Sequence, residues 1–462
     1  MSQNKGKVTG FYRPRNPELS PFYRLVSDYF DEFENVYPHR YEMRFGFWRP
    51  VMRKAIDKFL ECGDLRHGFA RVRCPQCGEL FFVAFSCKQR GCCPSCDQKR
   101  ALVLGHRLLN DVLAEVPHRQ WVFTIPKRLR VYFRFTRSLL GDLCRAAYET
   151  VHEVMQLEMD TEGCIPAMVG AVQTFGDLVH WHPHIHAIAA EGVFAPDGRF
   201  EPVPYIQLER AKEIWQGKVF DLLFDKGLLR LDTIESMMGW KHSGFNIDTS
   251  VRIEADDHDG MQHLIEYISR CPFSLARMVK LTDDDKVMYR ASHANCTRYP
   301  MLGKEMDLRP GMRRNYQVFE PLDFLASITQ HIPNKGEHQI RYYGFYSNKS
   351  RGMRAGKRKA TNDDPMDEPL TEYQLSRRIT WAALIKCVYE VDPLECPKCG
   401  AEMKIISFVE AKTQASVIKR ILKHCGLWKD IVPRAPPIET KPPVSELEET
   451  QYDYTFFDRI CA

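Results

Sequence analysis

At 462 residues, with 44% hydrophobic and 27% charged residues, the chain is long enough for two or three domains with their own cores and is composed like a soluble globular protein. No apolar run approaches the length that spans a bilayer, and Met1-Ser2-Gln3-Asn4-Lys5-Gly6 lacks the apolar centre of a signal peptide, so a cytoplasmic protein without a membrane partner is expected. The net charge of +5 is too small to identify a polyanionic partner, and the 16 cysteines in a reducing compartment read as metal ligands and small buried residues rather than disulfides.

From about Ser20 to Leu60, apolar residues recur at helical spacing (Phe30, Phe33, Tyr37, then Val51, Ala55, Phe59), which predicts two or three amphipathic helices. A cysteine cluster follows: Cys62, Cys74-Pro75-Gln76-Cys77-Gly78, Cys87 and Cys92-Cys93-Pro94-Ser95-Cys96. The two Cys-x-x-Cys knuckles stand fifteen residues apart, a zinc-ribbon spacing, with Phe81 to Phe85 as the hairpin between them. Cys74, Cys77, Cys93 and Cys96 are therefore expected to hold one structural zinc, and Cys62 and Cys87 to complete a second site. Four thiolates leave no open position, so the expected role is structural. Lys88, Arg90, Lys99 and Arg100 surround the knuckles and suggest contact with a nucleic-acid backbone.

A helix is expected from Ala101 to about Glu115, then a strand at Trp121–Ile125 stopped by Pro126. Lys127, Arg128, Arg130, Arg134 and Arg137 are interleaved with Tyr132, Phe133 and Phe135. Cations mixed with rings suit single-stranded nucleic acid, on whose bases aromatic rings stack; an amphipathic helix explains the same pattern. Residues 138–160 read as helical.

Two short runs with strand character come next, Gly170–Gly176 and then His180-Trp181-His182-Pro183-His184-Ile185-His186. In an extended strand, side chains i and i+2 share a face, so His184 and His186 project together while Ile185 packs inward. An antiparallel hairpin would lay Gln173 across from His186. Two imidazoles and an amide oxygen on one face make a divalent-metal site. His180 and His182, before Pro183, are assigned to the turn.

A helix at about Ile214–Phe224 and a strand at about Phe245–Ile253 lead to Asp256, Asp257 and Asp259, which offer N-capping carboxylates. The helix they start is expected to run to about Arg270, before Pro272. Met261, Leu264, Ile265 and Ile268 form its buried stripe. Tyr267 lies off that stripe, with His263 one turn before it and Arg270 nearly one turn after. A half-exposed packing tyrosine and a nucleophile both fit that position.

Further on, Arg341-Tyr342-Tyr343 and Tyr346 could contact a nucleic-acid strand or pack a core. Between Lys349 and Lys359 lie six cations and no acid, a solvated loop or a phosphate-contacting arm, followed by an acidic, proline-containing stretch that reads as linker. Trp381–Val391 reads as helix or strand. Cys396-Pro397-Lys398-Cys399 supplies only two ligands, with His424 and Cys425 as candidate partners, and Pro433–Pro443 reads as extended.

These pieces in this order resemble the HUH transposases of rolling-circle insertion sequences, the family typified by insertion sequence ninety-one. The matching stretches include Gly68–Cys74, Phe85–Lys88, Cys93–Cys96, Gln173–Gly176, His182–His186, Tyr267–Arg270, His331-Ile332-Pro333, Arg341–Gly344 and Cys396–Gly400. The resemblance implies an α+β fold, with a central antiparallel HUH-type sheet flanked by helices and preceded by a helical and zinc-ribbon domain. On that basis the expected division is 1–105 helical and zinc-binding, 106–348 catalytic, 349–380 linker, and 381–462 a small C-terminal region. It implies His184 and His186 as ligands of a catalytic Mg2+ or Mn2+, Tyr267 as nucleophile, and single-stranded DNA as substrate, with self-association into a homo-oligomer left open. Some members carry a second tyrosine four residues on; here that place is Cys271, so the chain resembles the single-tyrosine branch. Gln173 is taken as third ligand, with His263 as the runner-up. Competing readings are a replication initiator or relaxase with the same chemistry, a non-catalytic zinc-containing DNA-binding protein, and a zinc hydrolase. The last is disfavoured because no glutamate stands beside His184-Ile185-His186 as general base.

Overall fold

The structure is a computed structural model and describes residues 17–158, 163–203, 205–281, 286–291, 297–298, 313–360 and 395–430. The aromatic stretch near the start folds as α1 (Pro21–Arg40), α2 (Glu42–Phe45) and α3 (Pro50–Leu60). Proline opens both long helices, where its missing N–H leaves no bond unmade. Phe22, Phe30 and Phe33 of α1 and Met52 and Ile56 of α3 are fully or almost fully buried. A hairpin of β1 (Gly68–Arg73) and β2 (Leu80–Ala84) follows, then α4 (Pro94–Arg107), which runs into a π-type turn at Leu108–Val112.

The centre of the molecule is built from β3 (His118–Thr124), α5 (Arg130–Phe135), α6 (Leu139–Glu158), β4 (Ile165–Phe175) and β5 (Trp181–Phe194). Short β6 (Phe200–Pro202) pairs antiparallel with the end of β5; α7 (Leu208–Asp225) and α8 (Leu231–Met238) precede β7 (Asn246–Asp248) and β8 (Arg252–Ile253), which both pair with β3. The single strand expected at 245–253 is thus two pieces. Next come α9 (His258–Ile268) and a small sheet in which β10 (Val287–Arg290) lies between β9 (Met278–Leu281) and β13 (Tyr316–Phe319). β11 (Thr297–Arg298) pairs with β12 (Arg313–Arg314), and α10 (Pro321–Thr329), β14 (Ile340–Gly344) and α11 (Asn348–Ala360) complete this part.

The main sheet has the order β14-β4-β5-β3-β7, and each neighbouring pair is antiparallel. Strand alternation gives it two apolar faces. Trp121, Phe123, Ile185, Ala187 and Ala189 pack against α6 and α7, while Val169, Ala171, Ile188 and Ala190 pack against α9 and the π-type turn. Gly170 faces α6, where the Cys144 sulfur lies 2.5 Å from the place a β-carbon would occupy, so a side chain there would displace the Cys144 side chain packed on it. The fold is therefore α+β, an antiparallel sheet flanked by helices, with a cysteine-rich region towards the N-terminus. No helix among the described residues is long and apolar enough to cross a membrane.

Two expectations about the later part of the chain change. The basic run is helical through Ala360, because long straight-chain cations are good helix formers and two of them are pinned. Arg354 lies 3.6 Å from the Phe345 ring centroid and donates to the Phe345 carbonyl, and Arg351 lies over Tyr342. The rest of the expected linker, Trp381–Val391 and the proline-rich tail lie outside the described residues. The C-terminal β15 (Lys404–Glu410) and α12 (Ala411–His424) do not stand apart: β15 pairs antiparallel with β1, from Gly68↔Glu410 to Arg73↔Lys404.

Candidate active site and cysteine centres

The histidine strand is β5. His184 and His186 face the α9 side, and both are buried, 8% and 4% exposed. Gln173 of β4 stands opposite His184, not His186 as expected; Ala171 faces His186. The register differs by two residues, which preserves the face, so Gln173 still lies on the side of the sheet that carries the imidazoles. His182 is on β5 rather than in the turn, on the same face, its ring 4.9 Å from that of His184.

The His184 and His186 imidazoles meet through their Nε2 atoms, 3.1 Å apart. His184 Nδ1 lies 2.7 Å from the His182 carbonyl, which can only accept, so Nδ1 carries the proton and Nε2 presents a lone pair. His186 Nδ1 lies 3.0 Å from the Gln120 side-chain nitrogen; turning that amide over lets its oxygen accept from Nδ1–H and frees the second Nε2. Burial pushes His184 down to about 4 and His186, with His184 beside it, to about 2. Both rings are therefore neutral at pH 7, the form that binds metal. The Gln173 oxygen Oε1 is buried with no hydrogen-bond partner. Two neutral imidazoles and an unpartnered amide oxygen fit a divalent cation. Among the described residues no other histidine, cysteine or carboxylate joins the pair as a third ligand, and His263, exposed on α9, stays apart.

Tyr267 is carried to this face by α9. Asp257 caps the helix by accepting from the Gly260 N–H, and Met261, Leu264, Ile265 and Ile268 bury its inner stripe. Gln173 Nε2 donates to the Ile268 carbonyl at 2.9 Å and the Tyr267 carbonyl at 3.2 Å, tying the helix end to the sheet. The Tyr267 ring stands edge-on to His186, centroids 5.5 Å apart, and is 45% exposed. The Arg270 guanidinium lies 4.5 Å from the Tyr267 ring centroid and 5.5 Å from that of Phe175. Gln120 and Phe175 were not singled out from sequence. The polar residues His118 and Gln120, alternating with Trp121 and Phe123, were the signal that β3 lines the same face.

The expected nucleic-acid contacts separate. Lys127 is exposed just past β3, whose Thr124 pairs with His184, and Arg128 is half-buried beside it. Lys88 is exposed, in the left-handed backbone region. Arg90 instead donates to the Glu337 and Asn334 carbonyls, bracing the cysteine module on the loop after α10. Arg341 sits on the opposite face of the sheet: β14 parity turns it towards α6, where its guanidinium fills the space beside Gly141.

The cysteines group differently from the spacing argument. Cys62, Cys87, Cys93 and Cys96 converge in one cluster, and Cys74 and Cys77 converge with Cys396 and Cys399 in another. In the first cluster Sγ atoms lie 3.5 to 3.9 Å apart, close to the ~3.8 Å edge of a tetrahedron with zinc–sulfur bonds of about 2.3 Å. The Cys87 N–H donates to Cys62 Sγ and the Gln89 N–H to Cys87 Sγ, as amides do around thiolates. The expected partnership of Cys74 and Cys77 with Cys93 and Cys96 is thus replaced, because any two knuckles offer equivalent ligand pairs and tertiary structure selects among them. His424 and Cys425 belong to neither cluster.

Comparison with known proteins bears on the same regions. A family model described as "Putative transposase" matches residues 167–353, and one described as "Transposase zinc-binding domain" matches residues 29–125. The transposase for insertion sequence element IS801 of Pseudomonas savastanoi pv. phaseolicola is 23% identical over 383 residues, 80% of this chain and 86% of that protein. The "Putative transposase y4qJ" of Sinorhizobium fredii (strain NBRC 101917 / NGR234) is 23% identical over 347 residues, 71% of this chain and 81% of that protein. No solved structure matches the chain.

Proposed function

We propose that this chain, which matches two transposase family models and a curated insertion-sequence transposase over 80% of its length, is a transposase of the insertion sequence ninety-one family that nicks and rejoins single-stranded DNA at the ends of its element through Tyr267. The observation that carries the reading is the position of the Tyr267 ring, edge-on to His186 and under Arg270, on a helix tethered by Gln173.

The Tyr267 oxygen attacks the scissile phosphorus, the P–O3′ bond breaks, and the products are a 5′-phosphotyrosine and a strand with a free 3′-hydroxyl. The phenol gives up its proton as the new bond forms, and the departing 3′-oxygen takes one up. The ester energy stays in the covalent link, so a 3′-hydroxyl can reverse the step and join strands without a nucleotide cofactor. His184, His186 and Gln173 would hold Mg2+ or Mn2+, which when bound supplies Lewis-acid polarisation of the phosphate. Imidazole ligands favour manganese in affinity, although magnesium is the more abundant cation. Arg270 is cationic against the ring face and stabilises negative charge as it develops on the phenol oxygen. Exposed Lys127 offers a phosphate contact at the edge of the site.

Incubating the full-length protein with single-stranded oligonucleotides bearing candidate element ends and Mn2+ tests this. A denaturation-resistant protein–DNA adduct is expected, absent in Tyr267→Phe and in His184→Ala. An adduct that persists undiminished in Tyr267→Phe excludes Tyr267 as nucleophile.

A further inference from the structure

We propose that Cys74, Cys77, Cys396 and Cys399 hold a second zinc ion, and that this zinc is the clasp fastening the C-terminal strand–helix unit to the N-terminal sheet. Cys74 Sγ lies 3.5 Å from Cys399 Sγ, a residue 325 positions away, and Cys77 Sγ lies 3.5 Å from Cys396 Sγ. All four sulfurs fall within 4.8 Å of one another. These separations are far beyond the ~2.05 Å of a disulfide and close to a tetrahedral edge around zinc.

The two halves are the same device used twice. Cys74-Pro-Gln-Cys-Gly and Cys396-Pro-Lys-Cys-Gly each form a turn in which the glycine N–H returns to the first cysteine's carbonyl, at 3.1 and 2.9 Å. Both glycines take positive φ, +77° and +71°, which a side chain would oppose. In each turn the first cysteine's N–H also bonds a carbonyl five residues on, Glu79 or Ala401. Each knuckle thereby aims two thiolates at one point, and the knuckles face each other from opposite ends of the chain.

The apolar contact around this junction is small. Val72, Cys74, Val83, Cys396 and Met403 form one buried cluster, and Phe69, Phe82, Val409, Ile418 and Leu422 another. A unit with so few core residues needs a further constraint to stay docked, and a metal with half its ligands on each side supplies it. Cys77 and Cys399 are exposed, whereas Cys62, Cys93 and Cys96 are buried, so this zinc is the more accessible of the two.

The test uses the full-length protein in a His184→Ala background, which removes an imidazole of the proposed catalytic metal site. It is purified under reducing conditions with zinc as the only added metal, and wild type here means all cysteines intact. Two zinc ions per chain are expected in the wild type and in Cys425→Ser, and one in the Cys396→Ser/Cys399→Ser double variant. Amide hydrogen exchange across residues 404–410 should be slow in the wild type and fast in the double variant. One zinc per wild-type chain, or two retained by the double variant, overturns the proposal. Should the double variant fail to fold, stepwise chelation of the wild type decides: the first zinc to leave should take the 404–410 protection with it, and unchanged protection after that loss also overturns the clasp.

Discussion

Gln173 shows how much one side chain carries at this site. Its Nε2 satisfies two carbonyls at the end of α9 while its Oε1 remains without a partner. Gln173→Leu leaves two buried acceptors unpaired, and should cost about 1–3 kcal/mol of stability by denaturant titration. It should also remove the DNA adduct, since both the oxygen ligand and the tether of Tyr267 are lost. Adduct yield at the wild-type level in this variant would show that Gln173 neither binds metal nor positions the tyrosine. Arg270 is separable from it. Arg270→Met keeps an apolar stem against Phe175 but removes the cation from the Tyr267 ring. Adduct formation measured under single-turnover conditions should slow about 2- to 30-fold, the range of a cation–π contact of roughly 0.5–2 kcal/mol. An unchanged rate would reduce Arg270 to packing.

At the scale of elements, what was legible in the sequence was what local periodicity dictates. The buried stripe of α9 is the one its i, i+3, i+4, i+7 spacing marks, and the alternation of β5 turns His184 and His186 to one face. Register was not legible: two residues either way keeps the same faces, and only packing of the whole hairpin selects Gln173 opposite His184. The face of Arg341 was hidden because Ile340–Gly344 carries no clear alternation and was not recognised as a strand, so its parity could not be applied. Cysteine pairing was hidden for a stronger reason, since a knuckle contains no record of which other knuckle it meets. The helix that presents Tyr267 can be tested without touching the site. Leu264→Ala should cost about 2–5 kcal/mol, against about 1 kcal/mol for Asp257→Ala at the N-cap. Both should leave the adduct intact at low temperature, and Leu264→Ala should lose it first on heating. Equal thermal profiles for the two variants would mean that α9 is not held by its apolar stripe.

Across the whole molecule, the β4–β5 hairpin is held from a distance by buried neutral histidines. His331, after α10, spans the β4–β5 turn: its Nε2–H donates to the Val179 carbonyl, and Nδ1 pairs with the Thr174 hydroxyl. Val179 there has φ +56°, a left-handed conformation that a β-branched residue rarely adopts, so the turn is strained and His331 restrains it. On the other side of the core His118 pairs with the Tyr346 hydroxyl at 2.7 Å. Burial pushes His331 down to about 3 and His118 to about 4. An unfolded chain takes up a proton on each ring below a pH of about 6.5, while the folded chain stays neutral until pH approaches those lower values. Folding stability is therefore complete above that upper limit and declines as pH falls towards 4, by on the order of 1.4 kcal/mol per pH unit for each such ring. Acid also strips zinc from thiolates, so the slope must be assigned by comparison. His331→Gln keeps a polar side chain at the turn but removes one proton acceptor. With zinc in excess, its stability by urea titration should be lower than wild type at pH 7 yet fall less steeply between pH 6.5 and 5. Identical slopes for the two proteins would mean that His331 takes up its proton as readily in the folded chain as in the unfolded one, and that the strained turn beside His184 and His186 is held by something other than a neutral imidazole.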